Sequence, residues 1–304
     1  MGNVVVLGVF VADTAYRANR MPRLGETVLG NSFSLGPGGK GSNQAVSAGR
    51  MGANVSIISR LGKDDFAKMA LEVWSKSGVT AYVEQNANDY TGAAYIFVEE
   101  SSGENAIIIA PGAASKITAA DLEARTNLIT QADVFITQLE QPMDAAVKGL
   151  EIAKNAGVKT ILNPAPAVEL PKGMLDLCDY ITPNETETEA LTGISIKKVS
   201  DAEKAAKALH DMGVETPIIT LGEKGAFVYG YGLIPPFNAG PVVETTGAGD
   251  AFNGGFAAAV SEGQTAVDAV TIGCATAGIS VTRPGTAPSM PSRSEVENLI
   301  EAQL

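Results

Sequence analysis

The stretch Glu244-Thr-Thr-Gly-Ala-Gly-Asp-Ala-Phe-Asn-Gly-Gly-Phe256 decides how this chain is read. Pro241-Val-Val-Glu244 leading into it is strand-like, Gly247 and Gly249 punctuate a turn, and Phe252, Phe256 and Ala259/Val260 then recur at the i, i+4, i+7/8 spacing of one helix face. The spacing predicts a strand, a glycine turn and a helix N-terminus. The first backbone N–H groups of such a helix have no internal partner, and the helix dipole adds about half a positive charge, so an anion is stabilised there. Side chains at 247 to 249 are absent or a single methyl, which lets a bulky anion reach the amides. Asp250 falls in the first helical turn beside that hole. It is either a helix-start carboxylate favoured by the dipole, or a general base that takes a proton from a hydroxyl while the amides neutralise a transferring phosphoryl group.

Composition narrows the field. The 304 residues suffice for one large α/β domain with a small accessory piece, and 45% hydrophobic with 18% charged residues is an ordinary globular balance. Against 22 basic residues stand 34 acidic ones, a net charge of -12, which excludes a broad basic face for nucleic acid or anionic lipid. Attraction for an anion such as ATP must therefore be local. Cys178 and Cys274 provide neither a disulfide framework nor a paired zinc motif, so a reducing, cytoplasmic setting is expected. Met1-Gly-Asn runs straight into the strand-like Val4-Val-Val-Leu7, so no signal peptide is expected, and no apolar run is long enough to span a bilayer. Ala266 to Val281, interrupted by Asp268, Thr271, Thr276 and Ser280, reads as a buried core helix.

Outward from the glycine turn, the chain alternates. Strands are expected at Val4 to Val9, Val55 to Ser59, Val134 to Gln138, Lys159 to Asn163, Tyr180 to Thr182, Pro217 to Leu221 and Ala226 to Tyr229. Helices are expected at Ser42 to Met51, Asp64 to Ser77, Ala119 to Thr130, Met143 to Ala156, Asp201 to Met212 and Ser292 to Ala302. Such βαβ units build an open, mostly parallel sheet with helices on both faces and ligands at its carboxyl edge. Two segments break the alternation. Phe10 to Leu35 mixes polar and apolar residues around Ser32-Phe-Ser-Leu35, and Ala93 to Ala110 holds two strand-like runs around the turn Ser101-Ser-Gly-Glu104. Strands bunched without helices predict a small separate sheet.

The 244–256 stretch resembles the C-terminal signature of the ribokinase-like (PfkB) carbohydrate kinases. Their N-terminal signature is matched by Gly36-Pro-Gly-Gly-Lys-Gly-Ser-Asn-Gln-Ala45 with Gly52-Ala-Asn54, and two further blocks by Asn163-Pro-Ala-Pro-Ala167 and Thr182-Pro-Asn-Glu-Thr-Glu187. The four blocks stand in family order from Gly8 to about Pro291, with ribokinases the nearest branch. The resemblance implies one domain over 1–304, an open Rossmann-like sheet, and a β lid from about 10–35 and 91–112 that also serves as a homodimer surface.

Each motif also has a purely structural reading. Gly36-Pro-Gly38-Gly-Lys-Gly41 fits G-x-G-x-x-G, but the acidic ribose ligand of a dinucleotide site is missing at the right distance, and Gly41 stands where a P-loop needs Ser or Thr. Structurally it is a tight turn capped by Ser42; by resemblance it is the sugar floor, with Asp13, Gly38, Gly39, Asn43 and Glu140 as partners and Lys40 either on the phosphate side or solvated. Polyol hydroxyls are donors that buried carboxylates need. Asn184 with Glu187 reads as a helix capping box, or by resemblance as the pair that arranges the nucleotide and, through water, Mg2+. Thr220-Leu-Gly222-Glu-Lys-Gly225 reads as a hairpin turn. The resemblance places Thr220, Gly222, Gly225 and Cys274 with Asn184, Gly247 and Gly249 at ATP. His210, the single histidine, is expected on an exposed helix face, which argues against histidine-based chemistry.

By resemblance, then, Asp250 deprotonates the primary hydroxyl of a free sugar, ribose first, and the amides of Gly247, Ala248 and Gly249 hold the transferred phosphoryl of ATP. Other sugars (2-deoxyribose, fructose, tagatose), a nucleoside, and a catalytically silent sugar-binding regulator are the alternatives. Two departures from the family stand out. Val11 occupies a position where ribokinases carry Asn, and Glu244 one where they carry Asp beside a monovalent cation (K+), whose other positions correspond to Thr246, Ser280, Arg283, Gly285 and Ser289.

Overall fold

Val4-Val-Val-Leu7 is apolar at every position because the strand it forms is covered on both sides. The computed structural model describes residues 1–303; Leu304, the last residue of the expected domain, lies outside them. In chain order the elements are β1 (Asn3–Leu7), β2 (Val11–Ala18), β3 (Ser32–Gly38), α1 (Lys40–Arg50), β4 (Asn54–Gly62), α2 (Asp65–Lys76), β5 (Val79–Asn86), β6 (Thr91–Glu99) and β7 (Asn105–Gly112). There follow α3 (Ala119–Glu123), α4 (Thr126–Thr130), β8 (Val134–Thr137), α5 (Met143–Asn155), β9 (Lys159–Leu162), β10 (Tyr180–Ile181), α6 (Glu185–Thr192) and α7 (Val199–Asp211). The chain closes with β11 (Thr216–Thr220), β12 (Ala226–Val228), β13 (Gly232–Ile234), α8 (Ala248–Ser261), α9 (Ala266–Ser280) and α10 (Arg293–Gln303).

Nine strands form one sheet in the order β13-β12-β11-β10-β9-β8-β1-β4-β5, parallel except for the β11-β12-β13 hairpins. Alternation along β1 sends Val4 and Val6 into one apolar cluster, with residues of α1, α2, α8 and α9, and Val5 and Leu7 into another, with residues of α5 and α7. The expected doubly covered, mostly parallel α/β sheet is therefore present. The second sheet, in the order β3-β2-β6-β7, is made from the two segments that broke the alternation.

Three local expectations are corrected. Pro241 to Glu244 forms no strand: Val242 and Val243 are exposed, no strand lies beside them, and the N–H groups of Val243 and Glu244 both donate to the Val281 carbonyl. The helix expected over 119–130 is two short ones, because the Thr126 hydroxyl donates to the Glu123 carbonyl and competes with continuation of the helix. Ser42 caps nothing. Helix α1 begins at Lys40 behind Gly39, whose φ of 89° favours glycine, while the buried Ser42 hydroxyl accepts from the Trp74 indole at 2.9 Å.

Candidate active site

From β1 the chain fills one side of the sheet with β4 and β5, then the other with β8 to β11, so the crevice beyond the carboxyl ends of β1 and β8 is the topological switch point. After β1 the chain turns through Gly8 into β2, which carries Asp13. A Cβ on Gly8 would lie 2.5 Å from Gly41 Cα, and one on Gly38 would lie 2.2 Å from an Asp13 carboxylate oxygen. The glycines thus let α1 and the Asp13 carboxyl crowd the same corner. After β8 comes Glu140, whose carboxylate accepts the Lys40 backbone N–H at 2.8 Å.

Helix α8 runs back over this corner. Its N-cap Gly247 is left-handed, with φ 82°, and Asp250, itself buried, lies in its first turn. Instead of capping its own helix, the Asp250 carboxylate is held by two α1 side chains: Asn43 Nδ2 donates to Oδ2 at 2.9 Å and Gln44 Nε2 to Oδ1 at 3.0 Å. Beside it, Gly249 is exposed, and a Cβ there would meet nothing within 4 Å, so the helix N-terminus is open to an anion.

Electrostatically the crevice is a carboxyl cluster around one lysine. Burial, then the nearby Asp250 and Glu244, pushes Asp13 up to about 6. Burial pushes Glu140 up to about 7 against the pull of Lys40. Asp250 is also raised by burial, opposed by Lys40 and by the amides of Asn43 and Gln44. Lys40 is half-buried among these groups, between the two sequence readings of a bound and a solvated lysine.

The nucleotide-side expectations fall on the same edge of the sheet. Asn184 and Glu187 form the reciprocal capping box at the start of α6, 2.9 and 2.8 Å, and burial raises Glu187. Thr220 ends β11, its N–H on the Pro183 carbonyl, and Gly222 opens the turn beyond it, where a Cβ would meet nothing within 4 Å. Gly225 has a structural reason of its own: a Cβ there would lie 2.0 Å from the Ile234 carbonyl oxygen across the hairpin. Cys274 is buried in α9 within the apolar core. His210 is exposed and stacks on Tyr229, away from the crevice residues.

The residues expected around a monovalent cation sit on two adjoining loops. Glu244 crosses between them, its carboxylate accepting the Gly285 N–H at 2.8 Å. The Ser280 and Ser289 hydroxyls donate to the Ala277 and Thr286 carbonyls, Arg283 pairs with Glu295, and Thr246 is exposed. Thr286 ties this loop to β3 through the Pro37 carbonyl at 2.7 Å. Among the described residues no group of three or more His, Cys, Asp or Glu side chains could hold a metal ion.

Sequence reading missed the layer beneath Asp250. Gln138 Nε2 donates to Gln44 Oε1 at 2.6 Å, Gln44 Nε2 reaches Asn163 Oδ1 at 3.0 Å, and the Thr182 hydroxyl donates to Asn253 Oδ1 at 2.7 Å. Gln44 and Asn163 lie inside matched motifs, the only signal that could have exposed them.

An open helix N-terminus beside a held carboxylate, at a crevice of polar groups, is an arrangement suited to binding an anionic group next to a small polar compound. The model of the pfkB family carbohydrate kinases matches residues 1–293. The chain is 41% identical over 302 residues to a ribokinase of Haemophilus influenzae, covering 98% of each, and 35% identical over 295 residues to a deoxyribokinase of Salmonella typhi, covering 95% of this chain and 96% of that one. Among solved structures, Arabidopsis thaliana ribokinase complexed with ribose and ATP superimposes with a TM-score of 0.92 at 32% identity, over 99% of both chains. This chain belongs to the pfkB family of carbohydrate kinases. It is a sugar kinase.

Proposed function

We propose that this kinase transfers the γ-phosphoryl group of ATP to the primary hydroxyl of ribose, giving ribose 5-phosphate. The observation that carries the reading is Asp250, buried beside the open N-terminus of α8 with both oxygens oriented by α1 amides. A carboxylate has about four lone-pair positions, so two remain for a substrate hydroxyl. Asp13, Gly38, Gly39, Lys40, Asn43 and Glu140 hold the sugar. Asn43 suits this because its buried Oδ1 has no partner of its own. Asp250 takes the hydroxyl proton, the freed oxygen bonds to the γ-phosphorus, and the bond to the β-phosphate oxygen breaks to release ADP. The amides of Gly247, Ala248 and Gly249 meet the charge on the transferring group.

On the nucleotide side we assign Asn184, Thr220 and Gly222, with Gly225 and Cys274 supporting the pocket from the hairpin and α9. Glu187, a buried carboxylate in the first turn of α6, fits Mg2+, which keeps its waters and is held largely through phosphates. Bound there, Mg2+ would neutralise phosphate charge. The loops carrying Glu244, Thr246, Ser280, Arg283, Gly285 and Ser289 fit K+ through carbonyl oxygens, with weaker activation because Glu244 spends an oxygen on Gly285. The face of the small sheet opposite Asp13 exposes Tyr16, Phe33, Leu35 and Ile108, and we assign it to a homodimer formed through the lid. Free, buried Cys178 and Cys274 accord with work in the cytoplasm.

A second reading, 2-deoxyribose as acceptor, is favoured by Val11. Strand alternation puts Val11 on the Asp13 side of β2, and it is buried without joining either core cluster. An apolar group there offers nothing to a sugar hydroxyl, and a deoxyribokinase is among the relatives. The deciding experiment is an ADP-release screen over ribose, 2-deoxyribose, fructose, tagatose and nucleosides with ATP and Mg2+. Ribose giving the highest kcat/KM sustains the first reading; 2-deoxyribose doing so replaces it with the second; no turnover with any acceptor leaves a silent sugar-binding protein.

A further inference from the structure

Helix α1 carries a side chain that touches the proposed base but whose place beneath it keeps it from the open side of the crevice. Gln44 is buried, and both hydrogens of its Nε2 are used: one on Asp250 Oδ1 and one on Asn163 Oδ1, each at 3.0 Å. Its Oε1 accepts Gln138 Nε2 at 2.6 Å. This pattern fixes the amide's polarity. Turned over, Gln44 would set its oxygen against the Asp250 carboxylate and Asn163 Oδ1 and its NH2 against the Gln138 NH2, three repulsive contacts in place of three hydrogen bonds.

We propose that Gln44 is the positioning residue of the phosphoryl-transfer base: oriented by Gln138 and Asn163, it holds Asp250 Oδ1 so that the remaining lone pairs point at the substrate hydroxyl. The proposal rests on Asp250 being the base. Gln138 and Asn163 stand at the carboxyl ends of β8 and β9, so the sheet edge itself sets the angle of the carboxylate. A hydrogen bond to the charged form also favours that form, and Gln44 is one of the groups that hold Asp250 down against burial. The charged groups acting on Asp250 from the surrounding elements are Lys40 of α1, Asp13 of β2, Glu140 after β8 and Glu187 of α6. None of these is removed by changing residue 44.

The test compares kcat, the ribose KM and the acid limb of the kcat profile between pH 5.5 and 9 for wild type, Gln44→Met, Gln44→Glu and Asp250→Asn, with thermal melts to show folding. Gln44→Met removes both donors; Gln44→Glu keeps the shape and the Gln138 bond, so it serves if the first does not fold. Both should lower kcat about 10- to 100-fold, leave the ribose KM within about threefold, and move the acid limb upward by roughly one pH unit, further for Glu because it sets a second carboxyl against Asp250. Gln138→Met, which touches no reacting group, should shift the limb the same way by less. An unmoved acid limb in folded Gln44 variants, whether or not kcat falls, overturns the proposal while leaving Asp250 in place. Near-normal turnover of Asp250→Asn instead overturns the base assignment beneath it.

Discussion

Binding of ribose should expel protons from the crevice. Asp13 is pushed up to about 6 and Glu140 to about 7, both chiefly by burial. At pH 6.5 the free protein therefore carries about 0.2 proton on Asp13 and about 0.8 on Glu140, close to one in all. A sugar hydroxyl donating to each carboxylate favours the charged form, and although the sugar also removes water, a hydrogen bond to a charged group contributes about 1.5–3 kcal/mol, enough to win. Ribose binding at pH 6.5 should then release about one proton, and at pH 8.5 less than a tenth. The same values make ribose binding about 20-fold weaker at pH 6 than at pH 8, roughly 1.8 kcal/mol. Calorimetric titration of the free enzyme with ribose in buffers of differing ionisation enthalpy measures the proton count directly. Binding with no buffer dependence at pH 6.5, or with proton uptake, would refute the assignment of these carboxyls to sugar hydroxyls. The sign for folding is the opposite of the usual carboxylate case. Because both folded values lie above the ordinary 3.8 and 4.5, the folded protein holds the extra protons, and their contribution to stability is lost as pH rises from about 4 through about 7.

Four further outcomes are expected. Asp250→Asn should lower kcat by about 10²- to 10⁴-fold with little change in ATP affinity, checked by steady-state kinetics and nucleotide titration. Val11→Asn should raise the ratio of kcat/KM for ribose over 2-deoxyribose; an unchanged ratio would mean that Val11 does not face the sugar. Initial rates against potassium at constant ionic strength, with tetramethylammonium as replacement, should rise modestly for wild type and more steeply for Glu244→Asp. Flat curves for both would mean that the loops bind no cation. Ile108→Lys, placed on the exposed sheet face at 68% exposure, should halve the mass seen by light scattering after gel filtration while leaving the fold intact; a monomeric wild type would end the dimer assignment.

The architecture was legible because it is written in periods. The unbroken apolar run of β1 and the 3.6-residue spacing after Asp250 report burial directly, whatever their partners. The small sheet was legible for a related reason: two hairpin-like segments interrupt an otherwise regular alternation. Local pattern failed where a long-range contact decided the conformation, as at Pro241 to Glu244, whose valines look like a strand but whose amides are taken by the end of α9. The chemical class came from the resemblance of four ordered motifs to a known family, and the glycine turn marked an open helix N-terminus. Only the tertiary structure decided what holds Asp250. Gln44 and Asp250 are 206 residues apart, and Gln138 and Asn163 reach them from the ends of two other strands. No period in the sequence encodes that meeting, because the direction of a buried amide is set by which donors and acceptors the folded sheet edge brings within 3 Å of it.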